Sequence, residues 1–181
     1  MAEVTGIYIA LQHRLIEEYG ITLCDGCNPE YCGLCDNYGS VPHRCAYYEP
    51  DTGENKRIGN WKQENTVEST FILLHEIGHT VYFHNISIVN EYLAYVFAVR
   101  KCKELRLDLS RDLVVRNQRC LNRLYSRDVN RYNGAYQISG MYELDWVRTP
   151  EDYNIVKVYD ELYGYDPREH VRRLKNVEEQ L

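Results

Sequence analysis

Apolar residues recur at helical spacing from the start of the chain. Val4, Ile7, Tyr8, Leu11, Leu15 and Tyr19 share one face, and Gly20 stands where a helix over about residues 3–19 needs its C-terminal cap. Ile21–Leu23 is a short apolar strand start. Further on, Tyr47-Tyr48-Glu49-Pro50-Asp51-Thr52-Gly53 reads as a strand running into a turn, with Lys56–Ile58 as its returning partner. From Val67 to His84 no proline interrupts a dense set of apolar positions, which predicts a largely buried helix. Ser87 can cap the next, whose apolar face is Ile88, Tyr92, Tyr95, Val96 and Val99, and Ser110 can cap a third running to about Tyr125. Thr149-Pro150-Glu151-Asp152 and Asp166-Pro167-Arg168-Glu169 each join a cap, a proline at the first helical position and first-turn acids. They predict closing helices over about residues 150–163 and 167–179. Residues 128–148 carry the weakest pattern. The expected fold is a single domain over residues 1–181, α+β but mainly helical, with a small sheet.

The buried helix over 67–84 contains His75-Glu76-Ile77-Gly78-His79, the H-E-x-x-H pattern. Positions i and i+4 of a helix project from one face, so two imidazoles can bind one zinc ion while the adjacent glutamate lies beside the remaining coordination position. Two histidines and a glutamate buried together without a metal would need three separate sets of polar partners. Gly78 costs ~1 kcal/mol relative to Ala in a helix interior, a penalty that makes sense where another backbone approaches closely. A catalytic zinc wants a third protein ligand and an open position. His84 follows His79 by five residues and falls off the shared face. The metzincin pattern fails, because Tyr82 and Asn85 occupy the places of its glycine and its third histidine. Glu91 suits better: with one helix ending near Asn85 and the next starting at Ser87, it projects from the first turn back toward the metal. Ala94 and Ala98 give that face a small-residue strip for close packing.

His75-Glu76-Ile77-Gly78-His79 followed by Asn90-Glu91-Tyr92-Leu93-Ala94-Tyr95-Val96-Phe97-Ala98 resembles the ImmA/IrrE family of small gluzincin peptidases. Leu15 to Ile21 is similar to that family's first helix and turn, and Ala46 to Gly53 to its strand and hairpin. The resemblance covers about residues 4–100, and its specific part is the zinc motif with the glutamate helix. The interval from His79 to Glu91 is shorter than is usual there. The resemblance implies a minimal zincin core over 4–100, beyond which the pattern above reads as a helical extension over 101–181, and an intracellular zinc endopeptidase of the kind that cuts helix-turn-helix repressors. His75, His79 and Glu91 would hold a catalytic Zn2+. Glu76 would take the proton of the attacking water and deliver one to the leaving amine. A zinc-stabilised binding module without turnover, and a zinc hydrolase of a non-peptide substrate, are the alternatives.

The cysteines add a second candidate metal site. Of seven, Cys24, Cys27, Cys32, Cys35 and Cys45 lie in one segment outside the usual family pattern. Cys24-x-x-Cys27 and Cys32-x-x-Cys35 are two knuckle-like pairs suited to a structural Zn2+, with Cys45 or His43 as substitutes for one member. An iron–sulfur cluster, whose usual runs the spacing does not match, and thiols without metal are the other readings. Cys102 and Cys120 read as core residues.

Net charge of −6 makes the whole chain a poor non-specific nucleic-acid binder. Between Arg100 and Arg131, however, ten basic residues face four acidic ones. Arg116, Arg119, Arg123 and Arg127 line one face of the helix over 111–131, either as a solvated face or as a docking surface for an acidic partner or a DNA-associated repressor. Apolar runs fall far short of the ~18–20 residues that span a bilayer. The N-terminus has no basic and apolar leader pattern, so the expected location is the cytoplasm, with no membrane contact. Seventeen Tyr against three Phe leave most aromatic positions with a hydroxyl to satisfy; Tyr82, Tyr92 and Tyr95 are placed to line a zinc cleft.

Overall fold

A computed structural model describes residues 6–24, 45–47, 57–59, 61–82, 87–139 and 150–166, and these are mainly helical. Their centre is α2, Val67–Val81, buried over most of its circumference by Phe71, Leu73, Leu74 and Ile77. Its start is fixed locally. The Thr66 hydroxyl accepts from the Ser69 amide at 3.0 Å, and the Ser69 hydroxyl donates to Lys62 O at 2.9 Å while accepting from the Glu64 amide at 3.1 Å. The α1 helix, Ile7–Glu18, crosses this entry. Fully buried Gln12 donates to Glu64 O and to the Thr70 hydroxyl, both at 2.9 Å. Gly20, at φ +62°, ends α1 as expected: its amide and that of Ile21 donate back to Glu17 O and Ile16 O.

Three strands of three residues pair in the order β1-β3-β2. β1 (Thr22–Cys24) runs parallel to β3 (Arg57–Gly59), and β2 (Cys45–Tyr47) runs antiparallel to it. Cys24 and Cys45 both stand in register with Gly59, so the chain leaves β1 and enters β2 at the same end of the sheet.

α2 packs most extensively on α3, Ser87–Glu104, and α3 in turn on α4 (Arg111–Ser139) and α5 (Ile155–Tyr163). The α2–α3 approach is close enough to need a glycine. A methyl placed on Gly78 would lie 2.7 Å from Ala94 Cα and 2.9 Å from Ala94 O, both backbone atoms that cannot rotate away. Ala94 and Ala98 are fully buried on the facing strip. The helix penalty of Gly78 is thus offset by letting two backbones touch.

Three expectations need correction. The third helix does not stop near Tyr125 but continues as α4 to Ser139, because the one-face arginine spacing persists and no proline intervenes. Thr149-Pro150 opens a single 3-10 turn, Pro150–Tyr153. The following α-helix starts afresh at Asn154, whose side chain accepts from the Lys157 amide at 3.0 Å. Ser87 is the first helical residue of α3 rather than its cap. Residues 167–179 lie outside the described set.

Gly78→Ala tests the close approach. It gains about 1 kcal/mol of helix propensity and forces α3 outward at an overpacking cost of about 1–3 kcal/mol, so a net loss of stability is expected in urea denaturation. A stabilised variant would show that the backbones have room to part.

Candidate metal centre

His75 and His79 lie one turn apart on α2 and bring their Nε2 atoms to 3.1 Å. Glu91 comes from the second turn of α3 and presents one carboxylate oxygen to each ring, 3.3 Å from His75 Nε2 and 3.4 Å from His79 Nε2. Tetrahedral zinc, with bonds of ~2.0–2.2 Å to nitrogen and carboxylate oxygen, sets neighbouring ligand atoms about 3.3–3.5 Å apart. The separation of the two nitrogens is near that edge length, and Glu91 meets each nitrogen at a similar distance through a different carboxylate oxygen. Among the described residues this is the set of His, Cys, Asp and Glu whose ligand atoms converge, and no fourth such side chain joins it. The sequence-predicted His75, His79 and Glu91 are therefore together. Glu76 is buried in α2 between them in sequence and is not one of the converging group.

The rings are held by their surroundings. Tyr95 of α3 lies over His75 with ring centroids 3.9 Å apart, and the Phe71 ring lies 6.2 Å from that of Tyr95, nearly parallel to it. The Tyr95 hydroxyl donates to Asn117 Oδ1 at 3.1 Å, and Asn117 Nδ2 donates to Leu113 O at 2.8 Å, so the stack is tied to α4. On the other imidazole, buried His79 Nδ1 and buried Asn90 Oδ1 both lack a closed hydrogen bond, although Asn90 lies near enough to raise the pKa of His79. A ring that gives Nε2 to a metal carries its proton on Nδ1, where an amide oxygen is a suitable acceptor.

The electrostatics suit a divalent cation. Burial, and then the charge of His75, push His79 down to about 4, outweighing the upward pull of Glu91 and Asn90. Burial alone would raise the Glu91 carboxyl, but the hydrogen bond and charge of His75, with the charges of His79 and Arg127, hold it below its ordinary value. At neutral pH His79 is neutral and Glu91 ionised, the forms in which each can ligate. The donor set of two imidazoles and a carboxylate fits zinc.

Of the predicted cleft tyrosines, Tyr95 alone has a described contact with a ligand ring; Tyr82 packs edge-on against Phe97, and Tyr92 against Tyr153. His84, Cys27, Cys32, Cys35 and His43 lie outside the described residues. Cys24 and Cys45 are described as strand residues flanking Gly59 in register. Cys102 is fully buried, and burial pushes its thiol up to about 12, whereas Cys120 is exposed on α4, against the expectation of a core position. Arg116, Arg119, Arg123 and Arg127 are all exposed along α4. Sequence reasoning missed Asn117 and Asp128. Asp128 is 2% exposed and accepts the Ile88 amide at 3.0 Å, yet in sequence it is one acid in a basic helix.

The chain matches no known protein family, no curated protein and no solved structure.

The depressed His79 pKa fixes a sign. Between about 6.5 and about 4 the unfolded chain binds a proton that the folded chain refuses. Stability of the metal-free protein is then fully present above about pH 6.5 and falls as pH drops through that window. Urea midpoints against pH should show this slope, and His79→Gln should flatten it. An unchanged slope would remove His79 as its source.

Proposed function

We propose that the chain is a zinc-dependent endopeptidase of ImmA/IrrE type, acting in the cytoplasm on a protein or peptide. The observation that carries this reading is the convergence of His75 Nε2, His79 Nε2 and the Glu91 carboxylate at zinc-like spacing, with no fourth ligand among the described residues. Zinc held there supplies Lewis acidity and lowers the pKa of a water to ~7. Glu76 is the base: its carboxylate takes the proton of the attacking water and returns it to the leaving amine nitrogen. Its burial, at 6% exposure, keeps that carboxylate from bulk water. The Glu91 side chain is 35% exposed while those of His75 and His79 are 10% and 12% exposed, which supports substrate entry past Glu91. The fold reading that goes with this is a minimal zincin core with a small sheet and a helical extension.

The exposed arginines of α4 form a surface that suits an acidic partner, including a DNA-associated repressor. Cys24, Cys27, Cys32 and Cys35, with Cys45 or His43 in reserve, form a structural zinc site. The shared register of Cys24 and Cys45 beside Gly59 supports it, since the segment departs and returns at one sheet end.

Glu76→Gln should bind zinc as tightly as wild type and hydrolyse protein substrates about 100-fold or more slowly. Equal turnover by the two would refute the mechanism. Glu91→Ala should lose at least about tenfold in zinc affinity by chelator competition. Metal analysis should give a colourless wild type with about two zinc per chain, falling to about one in Glu91→Ala at limiting zinc.

A further inference from the structure

The third ligand comes from α3, and α3 is held on both sides of it. Three residues after Glu91, Ala94 lies against the Gly78 backbone of α2. Three residues before it, the Ile88 amide donates to Asp128 Oδ2 of α4 at 3.0 Å. Residues 88, 91 and 94 fall on one helical face, so the two contacts bracket Glu91 a turn away in each direction.

The Asp128 contact is costly to keep. At 2% exposure its carboxylate has given up most of its water, and its nearest described cation, Arg127 Nε, is 3.8 Å from Oδ1 and itself largely exposed. Desolvating a carboxylate is tolerated where strong partners replace the water. Here the partner is the start of α3, where an unsatisfied amide and the positive end of the helix dipole meet it. Ile88 is 1% exposed, so this cap lies in the core, where its geometry is fixed by packing. The same helix braces the other side of the centre, since Asn117 holds the Tyr95 hydroxyl and Tyr95 covers His75. α4 thus holds α3 at two places and, through Tyr95, bears on the His75 ring of α2, from outside the stretch that resembles a known family.

We infer that Asp128 is a positioning residue for the metal centre: by capping α3 from α4 it sets the reach of Glu91 to His75 and His79, with Asn117 as the lesser brace through Tyr95. The inference rests on the metal-site reading above. It makes zinc affinity depend on a carboxylate with no contact to the ligand atoms.

The test measures zinc affinity by chelator competition and the visible spectrum of the cobalt(II)-loaded protein, which reports ligand number and geometry. Asp128→Ala should bind zinc about 10- to 100-fold more weakly, the range typical of lost outer support, and its cobalt spectrum should move toward that of Glu91→Ala. Asp128→Asn keeps an acceptor without the charge and should lose only about threefold to tenfold. Asn117→Ala should lose less than Asp128→Ala. Tyr159→Phe, which removes the hydroxyl bond to Leu109 O at 2.7 Å, should lower the urea midpoint and leave zinc affinity unchanged.

Wild-type affinity and spectrum in a folded Asp128→Ala overturn the inference. If that variant does not fold, Asp128→Asn decides, and wild-type values there overturn it equally. A loss in Tyr159→Phe as large as that in Asp128→Ala overturns it too, by showing that general destabilisation suffices. A wild-type chain whose zinc uptake is the same as that of His75→Ala brings down the metal-site reading itself, which the other outcomes leave standing.

Discussion

Everything about the candidate centre depends on how close two helices can come. α2 carries the histidines and α3 the glutamate, and a carboxylate one side chain long reaches both rings because Gly78 lets the backbone of Ala94 sit against α2. With ordinary side chains at both positions, helix axes stand 8–10 Å apart, a spacing set by what the contact residues carry. Here the contact residues carry a hydrogen and a methyl. The stack of Phe71, Tyr95 and His75 fills the space beside this seam with flat rings that slide past one another at little cost in volume.

Close packing also shapes the chemistry. A histidine in water is half protonated near pH 6.5, where a metal must compete with the proton. Burial in the seam removes that competition for His79, while the neighbouring rings keep Glu91 ionised against the same burial. One environment thus pushes two different groups toward the forms that ligate, because solvent exclusion acts on every charge and the local partners act by sign. The Glu91 side chain nevertheless stays 35% exposed, more than either histidine.

Much of this was legible in the sequence, and the part that was not has a physical cause. The pairing of His75 with His79 follows from helical periodicity, since residues four apart share a face; Glu91 followed from reading a new helix from Ser87, and the glycine and alanines announce a close approach by their size. The helix start capped locally at Ser110, whose hydroxyl accepts from the Leu113 amide at 3.4 Å, was equally readable. What failed depended on residues distant in the chain. Thr149-Pro150 looks like a helix start, yet Gln118 of α4 accepts the Ile155 amide at 2.7 Å and donates to Tyr153 O at 3.0 Å, drawing the helix start past the 3-10 turn. Asp128 and Asn117 have no local signature, because their partners are set by how α4 crosses α3. Among seventeen tyrosines the pattern named Tyr95 only as one of three for the cleft, since ring stacking is decided by tertiary position.

The distance between helix starts and the groups that satisfy them bears on the order of folding. α1 has no side-chain cap at Gly6, and its Tyr8 amide is taken by Asn65, 57 residues on; the Ile88 amide of α3 is taken by Asp128, 40 residues on. Starting a helix is the unfavourable step, and here its compensation arrives only after long stretches of chain have closed. A nascent chain that has completed α2 and α3 but not α4 holds all three ligands in sequence without the brace that spaces them. On a growing chain, the spacing of His75, His79 and Glu91 would then be completed by residues synthesised after them, and a metal bound there would be fully held only once α4 has docked.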